Sequence, residues 1–569
     1  MLEIDPKLLA TFPILLGPKV QKRLVELTEQ HAAKLVPLLK ERSRFQEKMN
    51  QGQVELDFLP RDTVVADAEG TKLSAGQIRE GDWKLNAHVP VRRDLIDRKG
   101  LEGTGPFLDM GMAISALNAT TAHWMADWED AMGDKGDQIY QAFQNTTDLI
   151  GGKLMEYRHP TKGKTYKLQK RNLWPTLIAR YRGLALKVKK NQMTYANQDI
   201  PATIADMVLY AVNNHAALKE NGSGVYFYGP KLQSWQEALW VEQVLRDLEK
   251  ALRLNTGEIK VYLLNERPEF ALQQEEIMWV MRERLVGTNV GRWDYLSGHI
   301  VVQQAKPHKI LPDPHTLTMK APFMTFYSLR NIALNNRRGG YAVGGMATAM
   351  PNPAHPEVTP VALEAIRQDK RRERQMGYRW SWTATPAPDY VDAGQSELLK
   401  EDAELERMTL PVIDYSLESR DKLFEYPSGE ATEKGMRLAL YYATEYMFGQ
   451  QQGNNAVAIE DPDTHIRHMN DFATFEIFWH WLWTLHRHGR MSLAVLERLV
   501  AGEVERVRKA YFGGSTAGYA ASKWPSVFHI VKRLVVHPTM LPYGSHVLLA
   551  VVDEDDEAKR KAIIDQFLG

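Results

Sequence analysis

Between residues 20 and 50, Leu24, Leu27, Leu35, Leu38 and Leu39 recur among Lys, Arg, Glu and Gln, a spacing that gathers the leucines on one face of a helix, and Asn50, Gln51 and Gly52 end the pattern. From about residue 105 to 390 the pattern changes to short apolar runs separated by longer charged or amphipathic stretches. The runs predict strands at His123 to Ala126, Thr176 to Ala179, Val225 to Tyr228, Ile259 to Leu264, Leu317 to Met319 and Tyr341 to Val343. Strand and helix units repeated this often predict an α/β fold, and a (β/α)8 barrel ahead of an open sheet. Beyond Pro388 the pattern is helical again, with helices expected over Glu397 to Arg407, Lys434 to Met447, Phe472 to His488 and Ser492 to Tyr511. The acidic run Asp553 to Glu557, followed by Lys559, Arg560 and Lys561, suits a helix start. Pro-rich loops at Lys306 to His315 and Pro351 to Pro360 read as barrel connections.

Composition narrows the chemistry. Lys plus Arg and Asp plus Glu each number 71, so the formal charge of zero lacks the basic excess of a general nucleic-acid binder. With 44% hydrophobic and 25% charged residues over 569 positions, the chain has the material for a large buried core. It has no cysteine, which removes disulfides, thiolate nucleophiles, Cys-ligated zinc and iron–sulfur clusters together. Catalysis then rests on carboxylates, His, Arg, Lys or hydroxyls. Glu3, Asp5 and Pro13 argue against an export signal, and no run approaches eighteen apolar residues, so a cytoplasmic enzyme without membrane or nucleic-acid partners is expected.

In a barrel of this kind the catalytic groups hang from the C-terminal ends of the strands. The polar residues that follow the apolar runs are Asp127, Glu129 and Asp130, then Arg180 and Arg182, then Lys231, Glu266 and Asp294. Carboxylates and cations alternate around one rim. Glu266 and Asp294 have the chemistry to hold a hard cation such as Mg²⁺, and Arg180 is placed to stabilise a developing oxyanion. Singly, such carboxylates also serve as helix caps or ion-pair partners. His480, His486 and His488, beside Trp479, Trp481 and Trp483, read as core and surface positions ahead of a zinc site. Lys187 to Lys190 and Lys370 to Arg374 read as solvated faces, with phosphorylated-cofactor contacts as the alternative. Gly103 and Gly105 lack the third glycine of a dinucleotide loop, and Gly513 to Gly518 miss the spacing of a nucleophile elbow.

Longer motifs add a resemblance. GDWKLNAHVPVRRDLIDRKGLEGTGP at 81 to 106, ADWED within ALNATTAHWMADWEDA at 116 to 131, GVYFYGPKLQSWQEALWVEQV, LLNER, EEI and VGRWDYL follow one another in the order and spacing of the malate synthases, and APFMTFYSL, YAVGGMATAMP and MNDFATFEI continue the match. The chain resembles the shorter, A-type members of that family. The resemblance implies a TIM barrel over 106–392, an N-terminal helical clasp and entry segment over 1–105 and a C-terminal all-α plug over 393–569. It implies condensation of acetyl-CoA with glyoxylate and hydrolysis of malyl-CoA to malate and CoA, with Mg²⁺ as cofactor, as in the glyoxylate cycle. By matching positions, Asp471 is the base that takes the acetyl proton, Arg180 stabilises the enolate, and Glu266 and Asp294 hold the metal. Gly291, Arg292 and Trp293 would bind glyoxylate through their loop, with Glu129 and Asp127 near the metal and its waters. Gly344, Gly345, Met346 and Pro351 would meet the pantetheine arm, the glycines by adopting backbone angles closed to other residues. A monomer or small homo-oligomer is expected.

The departures cluster. Leu184, Ala185 and Leu186 replace the family's stretch after the arginine, Thr385 stands where the family has histidine, and Asn470, Phe472 and Phe475 replace Glu and small residues around Asp471. They imply a retained chemical core with a rebuilt pocket wall. A related Mg²⁺-dependent acyl-CoA condensing enzyme or lyase acting on a different 2-oxo acid is therefore the alternative reading.

Overall fold

Every residue of β1 (Gly100–Gly105), β2 (His123–Asp127), β3 (Thr176–Arg180), β4 (Tyr226–Gly229), β5 (Lys260–Asn265), β6 (Leu285–Val290) and β8 (Trp380–Thr383) is buried; only β7 (Tyr341–Ala347) is partly exposed. Strands covered on both faces favour apolar residues throughout, which is why β2 to β5 appear in the sequence as runs and not as alternation. In this computed structural model, which describes residues 1–161 and 163–569, the eight strands pair in parallel and in chain order, and β8 closes on β1. At least one helix follows each strand, from Met110–Leu117 after β1 to Pro388–Leu399 after β8. The fold is a TIM barrel.

Met125, Ile178, Tyr228, Tyr262, Leu264, Val286 and Trp382 cluster as the lumen-facing core. One carboxylate is sealed among them: Glu102 accepts from the Tyr228 hydroxyl at 2.5 Å and the Trp382 indole at 3.2 Å, and hydrogen-bonds His123 at 3.0 Å. The centre is therefore packed, and open chemistry is confined to the mouth. Where β6 meets β7, a Cβ on Gly287 would lie 1.8 Å from the Tyr341 carbonyl oxygen. Neither backbone can yield without breaking the parallel ladder, so Gly287→Ala is expected to cost about 3 kcal/mol. A urea-unfolding midpoint within error of the parent would refute that tight approach.

The clasp is the helix Pro18–Asn50, which lays Leu24, Leu27 and Leu35 against the barrel helices Ala202–Glu220 and Trp235–Leu252. His31 bonds Asp247 at 2.8 Å, and Arg42 pairs with Glu237 and reaches the Lys231 carbonyl at 3.1 Å, so the clasp ends at the barrel mouth. The plug packs the helix Phe472–Arg487 against Glu433–Gln451, Trp524–Val536 and the barrel helix Trp293–Gln303. Asp556 caps the last helix, Glu557–Leu568, where the acidic run was expected to start one. Among the described residues no helix is long and apolar enough to cross a membrane.

Several expectations change. Leu317 to Met319 is not a strand but follows a 3-10 turn at Pro314–Thr316 inside the β6 to β7 connection. The missed barrel strands are β1, rich in glycine, β6, and β8, only four residues long, and the plug expected to be all-α carries a β-hairpin, Val457–Glu460 with Arg467–Asn470. Helix Pro388–Leu399 ends where Glu397 to Arg407 was expected to run, and irregular chain follows. Barrel strand β1 precedes the expected boundary at 106, and the one at 392/393 falls inside that helix. The solvated reading fails at Lys370, Arg372 and Arg374, which are buried. Lys370 donates to Gly345 O at 2.8 Å and pairs with Glu373 at 3.0 Å, while Arg374 pairs with Glu397 at 2.9 Å. Lys187 and Lys190 do lie on an exposed face, both beside Asp199, whereas Lys189 is mostly covered and pairs with Asp553 at 2.6 Å.

Candidate active site

Asp127 closes β2, Arg180 closes β3, and Glu266 directly follows β5, so their side chains arrive at the mouth by strand register. Glu129 and Asp130 follow on the turn after β2. That turn is built by Asp127, whose carboxylate accepts the backbone N–H of Glu129 at 2.8 Å and of Ala131 at 3.1 Å. Gly183 lies beside it, and a Cβ there would stand 2.8 Å from the Glu129 carboxylate and push that side chain aside. Asp294 arrives in the first turn of the helix Trp293–Gln303.

Arg180 is buried at the centre. Its guanidinium reaches Asp127 at 3.5 Å and pairs with both Glu129 and Asp130, while its Nε finds no partner among the described residues. The Lys231 ammonium lies 3.1 Å from Glu129, 2.5 Å from Asp130 and 3.5 Å from Asp294, and its backbone N–H donates to Glu266 at 2.8 Å. Burial drives Glu266 well above the usual carboxylate range, and the negative charge of Asp294 adds to it. Burial also raises Asp127 and Asp294, and lifts Glu129 to about 7 against the pull of Arg180. Asp130 alone falls, because Lys231 and Arg180 outweigh its burial.

Asp471 comes from the plug. Its hairpin, Val457–Glu460 with Arg467–Asn470, pairs antiparallel with Ala349–Met350, the continuation of β7, in the register Ala349 to His468. Met469 N–H donates to Thr348 O at 2.8 Å, and Thr348 also bonds the His468 side chain at 3.1 Å. Asp471 then caps helix Phe472–Arg487 by accepting from Ala473 N–H at 3.1 Å. Burial raises its carboxyl to about 7, with the charges of Asp130 and Asp294 adding and those of Arg180 and Lys231 opposing. Phe472, its neighbour in the chain, lines the same cleft as Glu129, Asp130 and Lys231, which sets Asp471 beside the rim cluster.

Six carboxylates, Asp127, Glu129, Asp130, Glu266, Asp294 and Asp471, thus share a buried mouth with two cations, Arg180 and Lys231. Oxygen-only donors with this excess of negative charge fit a hard divalent cation.

A cavity of about 380 Å³ lined by Leu39, Arg42, Met49, Ala185, Arg267 and Tyr543 lies beside the clasp. A narrow cleft of about 30 Å³ shares Arg42, Ala185, Tyr543 and His546 with it and reaches Glu129, Asp130 and Lys231 past Leu184, Leu186 and Phe472. The rebuilt stretch after Arg180 and the substituted Phe472 therefore line the approach. Phe475 is instead packed in the plug near Tyr446 and Trp479, and Thr385 is buried with its hydroxyl accepting from Ala387 N–H at 3.2 Å.

Other expected residues are placed differently. Gly344, Gly345 and Met346 form no turn and have no positive φ: they lie within β7, at a register irregularity against β8. Gly344 is needed because a Cβ would stand 2.6 Å from the Glu373 carboxylate, which also accepts the Gly345 N–H at 2.8 Å. Met346 packs with the lumen cluster, and Pro351 accepts from Arg467 at 3.5 Å; neither lines the cleft or the cavity. Gly291 donates its N–H to Tyr327 Oη at 3.2 Å. The Arg292 side chain folds over the Trp293 ring at 4.3 Å and donates to Leu317 O at 2.9 Å, turned from the rim carboxylates, and burial lowers it to about 10. Helix Trp293–Gln303 has no side-chain cap. His480 donates to Leu541 O at 3.0 Å, so its Nδ1 accepts from Ser297 at 2.9 Å, and burial lowers it to about 3; His486 and His488 bond backbone carbonyls. Asp130 and Lys231 are the residues a motif reading underweights, since their partners come from different strands.

A family model described as malate synthase, TIM barrel domain, matches residues 176–408. Malate synthase A of Escherichia coli strain K12 is 34% identical over 446 residues, 77% of this chain and 79% of that one. The malate synthase of Streptomyces clavuligerus is 28% identical over 90% of this chain and 91% of its own, and that of Arabidopsis thaliana 29% identical over 76% of each.

Proposed function

This chain belongs to the malate synthase family, and from that premise we propose that the acid-rich mouth is its active site. The enzyme joins acetyl-CoA to glyoxylate and hydrolyses the resulting malyl thioester, giving malate and CoA. The observation that carries the reading is that the plug brings Phe472, and Asp471 beside it, to the cleft of Glu129, Asp130 and Lys231, where Asp471 feels the charges of Asp130, Asp294, Arg180 and Lys231.

Asp471, as carboxylate, takes a proton from the acetyl methyl, and Arg180 holds the negative charge that develops on the thioester oxygen. The unpartnered Nε of Arg180 supports that role, since a buried donor left unpaired is costly unless an acceptor arrives. The enolate carbon adds to the aldehyde carbon of glyoxylate, and water then cleaves the thioester and releases CoA. Glu266 and Asp294 would hold Mg²⁺, which supplies Lewis-acid polarisation of the glyoxylate oxygens when bound. The uncapped amides opening helix Trp293–Gln303 suit the glyoxylate carboxylate, because N–H groups and dipole there favour an anion. Arg292 and Trp293 contribute through this backbone, and Gly291, whose N–H is held by Tyr327, leads the chain into it. The cleft past Leu184 and Phe472 offers the pantetheine arm a way to the rim.

The test is free-thiol release from acetyl-CoA, for which a cysteine-free protein gives no background. Release requiring both glyoxylate and Mg²⁺ is expected, and release independent of glyoxylate would overturn the condensation. Glu266→Gln removes one proposed metal ligand, so the Mg²⁺ concentration for half-maximal rate should rise at least tenfold. An unchanged Mg²⁺ requirement would remove Glu266 from the metal site.

A further inference from the structure

At the far end of the hairpin that delivers Asp471, His355, Glu460 and His465 converge, with one ligating atom from each lying within 4.8 Å of the others. His355 belongs to the barrel loop after β7. Glu460 ends one hairpin strand, and His465 sits in the turn with a left-handed backbone, φ +59°. The His465 Nδ1 lies 2.8 Å from Glu460 Oε1, the His355 Nε2 lies 3.8 Å from the same oxygen, and the two rings stack with centroids 4.2 Å apart.

The surrounding groups orient these three. Glu357 holds His355 Nδ1 at 2.9 Å, so the neutral ring carries its proton there and aims the Nε2 lone pair at Glu460. Asn352 donates to the other Glu460 oxygen at 2.9 Å and to the His465 carbonyl at 2.7 Å. A lone pair facing a carboxylate oxygen is repulsive until a cation lies between them. Two imidazole nitrogens and one carboxylate oxygen suit a borderline transition ion, whose tetrahedral bonds near 2.0–2.2 Å set ligand atoms about 3.3 Å apart. The partial exposure of all three side chains leaves the fourth position to water.

We propose that His355, Glu460 and His465 form a binding site for Zn²⁺ or a similar borderline divalent ion, separate from the carboxylate mouth, and that the bound ion fastens the plug hairpin to the barrel loop. A motif search passes over such a site, because His355 lies more than a hundred residues before Glu460 and His465, and that pair follows no helix spacing.

The experiment is calorimetric titration of ZnCl₂ into the metal-stripped full-length chain, with millimolar Mg²⁺ present to occupy oxygen-donor sites. One saturable Zn²⁺ per chain is expected, with a higher thermal midpoint on binding. His355→Ala and His465→Ala should each weaken binding at least tenfold and abolish the midpoint shift, and Glu357→Gln should weaken binding by 10- to 100-fold through the ring it orients. Thiol release measured without Zn²⁺ should be unchanged in these variants, which shows that they fold. No saturable binding in the parent chain, or equal binding in the two histidine variants, overturns the proposal.

Discussion

Asp471→Asn lowers kcat for thiol release from acetyl-CoA and glyoxylate by about 10³-fold, within the range for loss of a positioned general base. Asparagine has nearly the same shape and caps a helix as well as aspartate, so the bond to Ala473 N–H survives and the unfolding midpoint stays put. Only the proton acceptor is removed. In the parent enzyme the base is the ionised form of a carboxyl lifted to about 7, so that form is lost as pH falls through neutrality. The rate should then drop about tenfold per unit on the acid side, and this limb should be missing from the residual activity of the asparagine variant. A variant with near-parental kcat, or with an unaltered acid limb, assigns the base elsewhere.

Arg180→Met has a different signature, because Arg180 stands at the junction of chemistry and folding. It pairs with Glu129 and Asp130 and reaches Asp127. Without it, Glu129 and Asp130 keep Lys231 as their one cation and Asp127 loses its ion-pair partner, and breaking such a network costs about 3–5 kcal/mol. Loss of an oxyanion donor adds a fall in kcat of about 10²- to 10³-fold. Arg180→Lys separates the two effects: it restores one positive charge and part of the lost stability, but a single ammonium replaces neither the two-armed grip nor the free Nε. Matching recovery of midpoint and kcat in the lysine variant would show that Arg180 acts only through folding.

The barrel was legible where strands are long and apolar and hidden where they are not. Tyr262 and Leu264 announce β5 by their run, whereas Gly103 in β1 is there because a Cβ would strike the Trp124 ring at 2.1 Å, a packing demand that propensity reads as a turn. Leu317 is buried beneath a loop, and burial alone imitates a strand. Lys370 and Arg374 looked solvated because charge in a sequence carries no sign of its partner; Glu397 lies across a helix pair from Arg374. At the site, Asp127, Arg180 and Glu266 could be collected from strand ends alone, and Asp294, past the missed β6, from its place in GRWDY. Lys231 could not be ranked, since its weight comes from meeting Glu129, Asp130 and Asp294 on other elements. Gly344 and Gly345 were read as a turn for a ligand, and the buried Glu373 behind β7 is what they accommodate.

Asp471 is placed by the pairing of Arg467–Asn470 with Ala349–Met350 and not by the covalent path that leads to it. That path leaves the barrel at Leu399 through a mostly exposed irregular stretch. Its most exposed part, residues 401–407, precedes the points at which the stretch is tied back to the barrel, so an insertion there should leave the reactive atom at its post and kcat unchanged. The placement rests instead on a handful of main-chain bonds far down the sequence from the proposed metal ligands. In this architecture the ladder, and not the leash, is the heritable part of the catalytic geometry.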